Sequence, residues 1–210
     1  MAESSVPLWK RWNNYGIGLL GEEDFQQALR AFEEVAKLRP DLPDGKLNIG
    51  RTYLAEGNLR KAKEKFEEVI QLFPDHQTTI YFQGQVALAQ GNHELALALW
   101  QQVEDDFPYD IRLLSDMGEL FYLTGAYDQA ESYLARALNI DPEHSPTLYR
   151  RMLLAGAQNQ PEQVIFWQEK YLYHKENEAE QTIIAAFKKR HPEHQLETQP
   201  VHFHRLRRAE

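Results

Sequence analysis

Pro40, Pro74, Pro108 and Pro142 stand 34 residues apart, and three other columns keep the same step. Gly16, Gly50, Gly84 and Gly118 make one, and Ala28, Ala62, Ala96 and Ala130 make another. A bulky apolar column runs Phe32, Phe66, Trp100, Leu134. Four columns in one register are the mark of a repeat array, in which each unit packs on its neighbours and one core runs through the stack. Such a chain works through the surface that its stacked units present.

Composition narrows the possibilities. Hydrophobic content of 42% with 26% charge fits a folded, soluble chain. No apolar run approaches the ~18 residues of a membrane helix, so no membrane insertion is expected. Leu8 to Leu20 is broken by Lys10, Arg11, Asn13 and Asn14, which leaves no apolar signal region. Such a chain is cytoplasmic by default, and periplasmic if it is a fragment of an exported protein. The absence of cysteine excludes disulfides, thiolate zinc sites, cysteine nucleophiles and covalently attached haem. The net charge of −9 is uneven: residues 187–210 carry +3 and the remainder −12. An acidic body opposes nucleic acid, whose phosphates it would repel.

Within each period the apolar residues recur twice at helical spacing around a short polar break. In the second unit Leu47, Ile49, Gly50, Tyr53 and Leu54 share one helix side, and Ala62, Phe66, Val69 and Ile70 share another. Gly57 suits the left-handed residue that ends a helix, and Asn58 begins the next segment. The pattern predicts helices at about 8–20 and 24–38, 43–55 and 59–72, 77–89 and 93–106, and 111–123 and 127–140. Gly16 and Ala28, with their equivalents, are expected where the paired helices cross, and Phe32 or Trp100 is expected to fill the gap towards the next unit.

These columns closely resemble the tetratricopeptide repeat, whose pattern is Trp, Leu-Gly and Tyr on a first helix and Ala, Phe, Ala and Pro on a second. Trp12, Gly16, Ala28, Phe32 and Pro40 match in the first unit, and Ile49-Gly50, Tyr53, Ala62, Phe66 and Pro74 in the second. Met117-Gly118, Phe121, Ala130, Ala137 and Pro142 match in the fourth. The resemblance implies an all-α, right-handed superhelical solenoid over 8–190. Its repeats would be about 9–42, 43–76, 77–110 and 111–144, with a divergent fifth at 145–177, a capping helix at 178–190 and a basic, His-rich tail at 191–210. In the fifth unit Met152 replaces the Gly and Val164 the Ala, while Pro161 opens the second helix. The third unit departs at Gln83 and Ala87, where Trp100 could occupy the volume that Ala87 leaves.

Little in the chain reads as chemistry. Gly16-Ile17-Gly18-Leu19-Leu20-Gly21 matches a dinucleotide string by letter, but it lies inside a repeat helix and not on a strand-to-helix turn. No metalloprotease, nucleophile-elbow or phosphate-loop motif is present. The acidic pairs Glu22-Glu23, Glu33-Glu34, Glu67-Glu68 and Asp105-Asp106 read as solvated charge. No enzyme and no cofactor are expected. His191, His194, His202 and His204 are the only metal-ligand candidates, and a Pro-containing tail is a poor scaffold for a site that needs converging ligands.

The resemblance puts the first helix of each unit on the inside of the superhelix. Asn13 and Ile17, Leu47 and Arg51, Tyr81 and Gln85, Ser115 and Glu119, and Tyr149 and Leu153 would then point inward, flanked by Asn48, Arg112 and Arg150. Amides, guanidinium groups and tyrosines suit an extended or helical peptide. The expected role is non-enzymatic binding of a protein or peptide in this groove, with self-association open, through Asn13, Asn48, Arg51, Tyr81, Gln85, Arg112, Glu119, Tyr149 and Arg150. Arg51, Tyr81 and Arg112 are the expected anchors. Family members that grip chaperone C-termini use a Lys, Asn and Arg clamp. Here Leu47, Thr78 and Phe82 stand at clamp positions, so that function is not carried over.

The ends suggest an alternative. Arg11 to Leu20, Tyr171-Leu172, His191-Pro192 and Gln199-Pro200-Val201-His202 resemble tetratricopeptide modules that follow multihaem cytochrome domains in bacteria. That likeness implies the docking module of a redox or metal-associated protein, using the His-rich tail.

Overall fold

A computed structural model describes the chain over residues 6–190, with side chains to 177. Ten helices follow one another among the described residues, with no strand. They are α1 (Leu8–Gly21), α2 (Phe25–Leu38), α3 (Asp44–Ala55), α4 (Leu59–Leu72), α5 (Gln77–Ala89), α6 (His93–Glu104), α7 (Ile111–Leu123), α8 (Tyr127–Ile140), α9 (Ser145–Ala157) and α10 (Pro161–Arg190). Consecutive helices pair, and the pairs stack in chain order. The backbones of α1, α3, α5, α7 and α9 also approach each other in succession, whereas those of the even-numbered helices stand further apart. The array therefore curves with the odd-numbered helices on its inner, concave side.

The turn inside each pair repeats in detail. Residues with positive φ stand at Glu23, Gly57, Gly91, Gly125 and Asn159, each 34 positions after the last. The next residue caps the second helix in the first three units. Asp24 accepts from Gln27 N at 3.2 Å, Asn58 from Lys61 N at 3.3 Å and Asn92 from Leu95 N at 3.1 Å. Each cap satisfies an amide that the first helical turn leaves without a carbonyl. The frame thus persists through the fifth unit, where its Gly and Ala columns have lapsed.

The Gly column is a packing requirement. A Cβ on Gly16 would lie 2.6 Å from Phe32 Cε1, and one on Gly50 would lie 2.5 Å from Phe66 Cε1. Gly84 lies under Trp100 and Gly118 under Leu134 in the same way. The bulky column therefore lands on the glycine of its own unit and also reaches the next one, Phe32 towards Ile49 and Phe66 against Phe82. Trp100 is held there by a bond from its Nε1 to the Tyr81 carbonyl, 3.0 Å long.

Two expectations change. Trp100 does not fill the volume beside Ala87; Gln83, Val86, Ala87, Leu95 and Leu99 line an open cavity of about 190 Å³ there. The separate capping helix at 178–190 is absent, because α10 runs unbroken from Pro161 to Arg190. No Gly or Pro interrupts its sequence between Pro161 and Arg190, so nothing breaks it. Arg151 of α9 ties this last pair together, pairing with Glu131 of α8 and lying over the Trp167 ring of α10 at 4.8 Å.

Candidate binding groove

Three columns of the inner helices meet along the concave face. The first holds Asn13, Leu47, Tyr81, Ser115 and Tyr149, and the second Asn14, Asn48, Phe82, Asp116 and Arg150. The third, one turn on, holds Ile17, Arg51, Gln85, Glu119 and Leu153. Because equivalent positions of successive units lie side by side, residues about 34 apart in sequence can bond across the helix–helix junctions.

At the N-terminal end, Asn48 Nδ2 donates to Asn13 Oδ1 at 2.8 Å, and Arg51 donates to Asn48 Oδ1 at 2.8 Å. The Arg51 guanidinium lies 5.1 Å from the centre of the Phe82 ring. Phe82 meets Tyr81 edge-on at 5.1 Å, and Arg112 lies over Tyr81 at 5.7 Å. Two guanidinium groups from α3 and α7 thus cap two adjacent rings of α5, which are attracted to cations through their faces.

At the C-terminal end Asp116 is the hub. Its Oδ2 accepts from Tyr81 Oη at 2.7 Å and from Gln85 Nε2 at 2.9 Å, while its Oδ1 accepts from Arg150 at 2.9 Å. Arg150 also donates to Glu119 and to Ser115 Oγ, which accepts in turn from Thr147 Oγ1 at 2.9 Å. Asp116 and Arg150 are largely buried, with side chains 9% and 19% exposed. Burial and the neighbouring Asp116 carboxylate push the Tyr81 phenol far above its usual range, so it donates and does not ionise.

Eight of the nine residues expected from the sequence are joined in this one chain of contacts, running from Asn13 through Asn48 and Arg51 to Arg150 and Glu119. Tyr149 stands outside it, half-exposed, with its ring 5.5 Å from Tyr171. Asn48 and Tyr81 lie beneath the surface, 4% and 5% exposed, so they support the groove without offering a face to a ligand. Asp116, Phe82 and Thr147 complete the arrangement but were not among the expected site residues. Asp116 shares a column with Asn48 and Arg150, and that spacing is the signal by which it could have been found.

The guanidinium groups differ in their surroundings. Arg112 is bound by Asp110 through Nη2 at 2.8 Å and Nε at 3.3 Å, and that bond raises its pKa against the opposing effect of burial. Burial works against the ionised Asp110 carboxyl, yet hydrogen bonds from Arg112 and the Leu113 amide leave it below its ordinary value. Arg51 has no carboxylate partner among the described residues. Burial, followed by the like charge of Arg112, lowers its pKa.

The described residues contain no group of His and carboxylates able to hold a metal. His191, His194, His202 and His204 lie outside the described residues. No described helix is long and apolar enough to cross a membrane.

Models of the tetratricopeptide repeat family match residues 19–80 and 78–143. No curated protein matches the sequence significantly. Among solved structures, a thermophilic tetratricopeptide protein of Thermus thermophilus is similar, with 20% identity and a TM-score of 0.72, covering 85% of this chain and 97% of that one. PilW, described as a widely conserved type IV pilus biogenesis factor, is 18% identical with a TM-score of 0.70, covering 82% and 80%. MamA from Desulfovibrio magneticus RS-1 is 21% identical with a TM-score of 0.59, covering 82% and 96%. At these identities the likeness speaks for the fold alone.

Proposed function

The chain is a member of the tetratricopeptide repeat family, and we propose that it acts as a non-enzymatic scaffold that takes a peptide segment of a partner protein along the concave groove. Family and fold fit a protein-interaction scaffold in general. The observation that carries the groove reading is the continuous chain of side-chain contacts along α1, α3, α5, α7 and α9. It holds polar groups of the inner face in fixed positions, and groups so held lose little freedom when a ligand arrives. The even-numbered helices differ. Glu104 joins Tyr133 and Arg136 across one junction there, and pairs such as Arg60 with Glu64 are local and exposed.

A random-sequence peptide library displayed on phage and selected on the purified chain tests this reading. Selected peptides should lose affinity with Arg51→Ala or Gln85→Ala and keep it with Arg60→Ala on the outer face. Equal losses from inner and outer substitutions would refute the groove.

A further inference from the structure

Given the groove reading, we propose that Arg51 and Arg112 together hold one carboxylate, that of an Asp or Glu side chain inside an extended peptide passing through the groove. The charges of the inner face otherwise close on themselves. Arg150 pairs with both Asp116 and Glu119, and Asp110 binds Arg112. Arg51 is the exception. A guanidinium carries five N–H donors, and Arg51 bonds through one of its nitrogens to the neutral Asn48.

The position of this cation is unfavourable until an anion arrives. It is half-buried, it lies over Phe82, and it faces the like charge of Arg112. Hydration lost on that side is not returned by any carboxylate among the described residues. A carboxylate on the solvent side of the two guanidinium groups, which cover the buried Phe82 and Tyr81 rings, would meet Arg51 from one side and Arg112 from the other. Planar guanidinium groups suit such an acceptor, since their forked donors match two oxygens.

The same surroundings limit the ligand to one acidic residue. Asp110, Asp116 and Glu119 lie close by on the same face, and residues 1–186 carry a net −12. A run of acidic residues would meet these carboxylates after the first contact. Neutral or apolar neighbours fit better, beside Asn13 on one side and Gln85 on the other. The groove continues past Arg51 in both directions, towards α1 and towards α9, so a side chain within a passing segment fits better than a chain end.

The phage selection supplies the probes. Binders should share one Asp or Glu at a fixed place, and changing it to Asn or Gln should weaken binding about tenfold to a hundredfold, the value of a charge-assisted bond. In Arg51→Gln that acidic-to-amide change should cost little, while the remaining groove contacts keep measurable binding. Amidating the peptide C-terminus should change nothing. Binders that use the groove but share no acidic position would overturn this inference and leave the groove reading standing. So would a required free C-terminus, or a preference for phosphoserine over Glu in synthetic versions of the peptides. Binders indifferent to all groove substitutions would overturn both, as would a library that yields none. A ligand-free check uses Arg51→Gln alone. Removing an uncompensated cation should leave the melting midpoint at or above that of the wild type, and a clear drop would show that Arg51 serves the fold and would overturn the proposal.

Discussion

A single methyl group at Gly50 measures how tightly α3 and α4 cross. An added Cβ would lie 2.5 Å from Phe66 Cε1, 2.7 Å from Cδ1 and 3.1 Å from Cζ. Ordinary carbon contacts are about 3.5–4.0 Å, so the ring must retreat by about 1 Å. It has nowhere to go: Phe66 is fully buried and stacks on Phe82 with centroids 5.8 Å apart. Overpacking of this kind costs about 1–3 kcal/mol, and Ala returns up to about 1 kcal/mol through its better helix propensity. Gly50→Ala should therefore destabilise by about 1–2 kcal/mol, or a few degrees at roughly 2–4 °C per kcal/mol for a chain of this size. Gly18 supplies the opposite sign. It lies within α1, and a Cβ added there would meet nothing within 4 Å, so Gly18→Ala should gain about 0.5–1 kcal/mol. Thermal and denaturant melts of both variants decide the matter, with hydrogen exchange over α3 and α4 as the local readout. Adding Phe66→Leu to Gly50→Ala should cost less than the two changes summed, because Leu yields where the ring cannot. A Gly50→Ala variant as stable as Gly18→Ala would refute the crossing.

Other substitutions probe the polar chain and the turns. Arg150→Ala should destabilise by about 3 kcal/mol in denaturant melts, because it strands the largely buried Asp116 beside Glu119. Tyr81→Phe removes the hydroxyl between Asp116 and Gln85 and should cost about 1–3 kcal/mol by the same assay. Gly57→Ala should cost about 1 kcal/mol, since φ there is 80° and no side chain is in the way. His76 bonds Thr79 Oγ1 at 2.7 Å, and burial lowers its pKa below 6.5. The unfolded chain therefore takes up that proton first as pH falls. Its stabilising share is full above pH 6.5 and is lost below it, so the melting midpoint should drop from about pH 7 to about pH 5 by an amount that His76→Gln removes.

Much of the fold was legible because the packing rule repeats. Four glycines had to recur wherever a ring or a leucine descends on a backbone, and Gly57 with Asn58 announced the turn that Glu23 and Asn159 reproduce without glycine. What stayed hidden depends on neighbours in space. Tyr81 looks the same in sequence whether it faces a ligand or Asp116, and only the stack shows that it is buried between Trp100, Phe82 and Asp116. Asp116 was missed because a lone carboxylate before Met117 reads as surface charge until Arg150 arrives from the next unit. The continuity of α10 escaped for a plainer reason: a repeat frame expects a break that the chain never wrote. The eight joined groove residues were reached through column arithmetic and family resemblance, not through any chemical motif.

α10 carries the chain well past the helix it pairs with. At ~1.5 Å per residue, its 30 residues extend about 45 Å, against about 20 Å for the 13 residues of α9 along which it starts. More than half of its length thus has no equivalent in the helix it pairs with. A continuous helix relates angle to distance along its axis. One residue inserted late in α10 would turn Arg190 by about 100° around the axis and advance it by ~1.5 Å, whereas four inserted residues would return it to within about 40° of its first heading. Length changes within α10 therefore act as rotations of its far end.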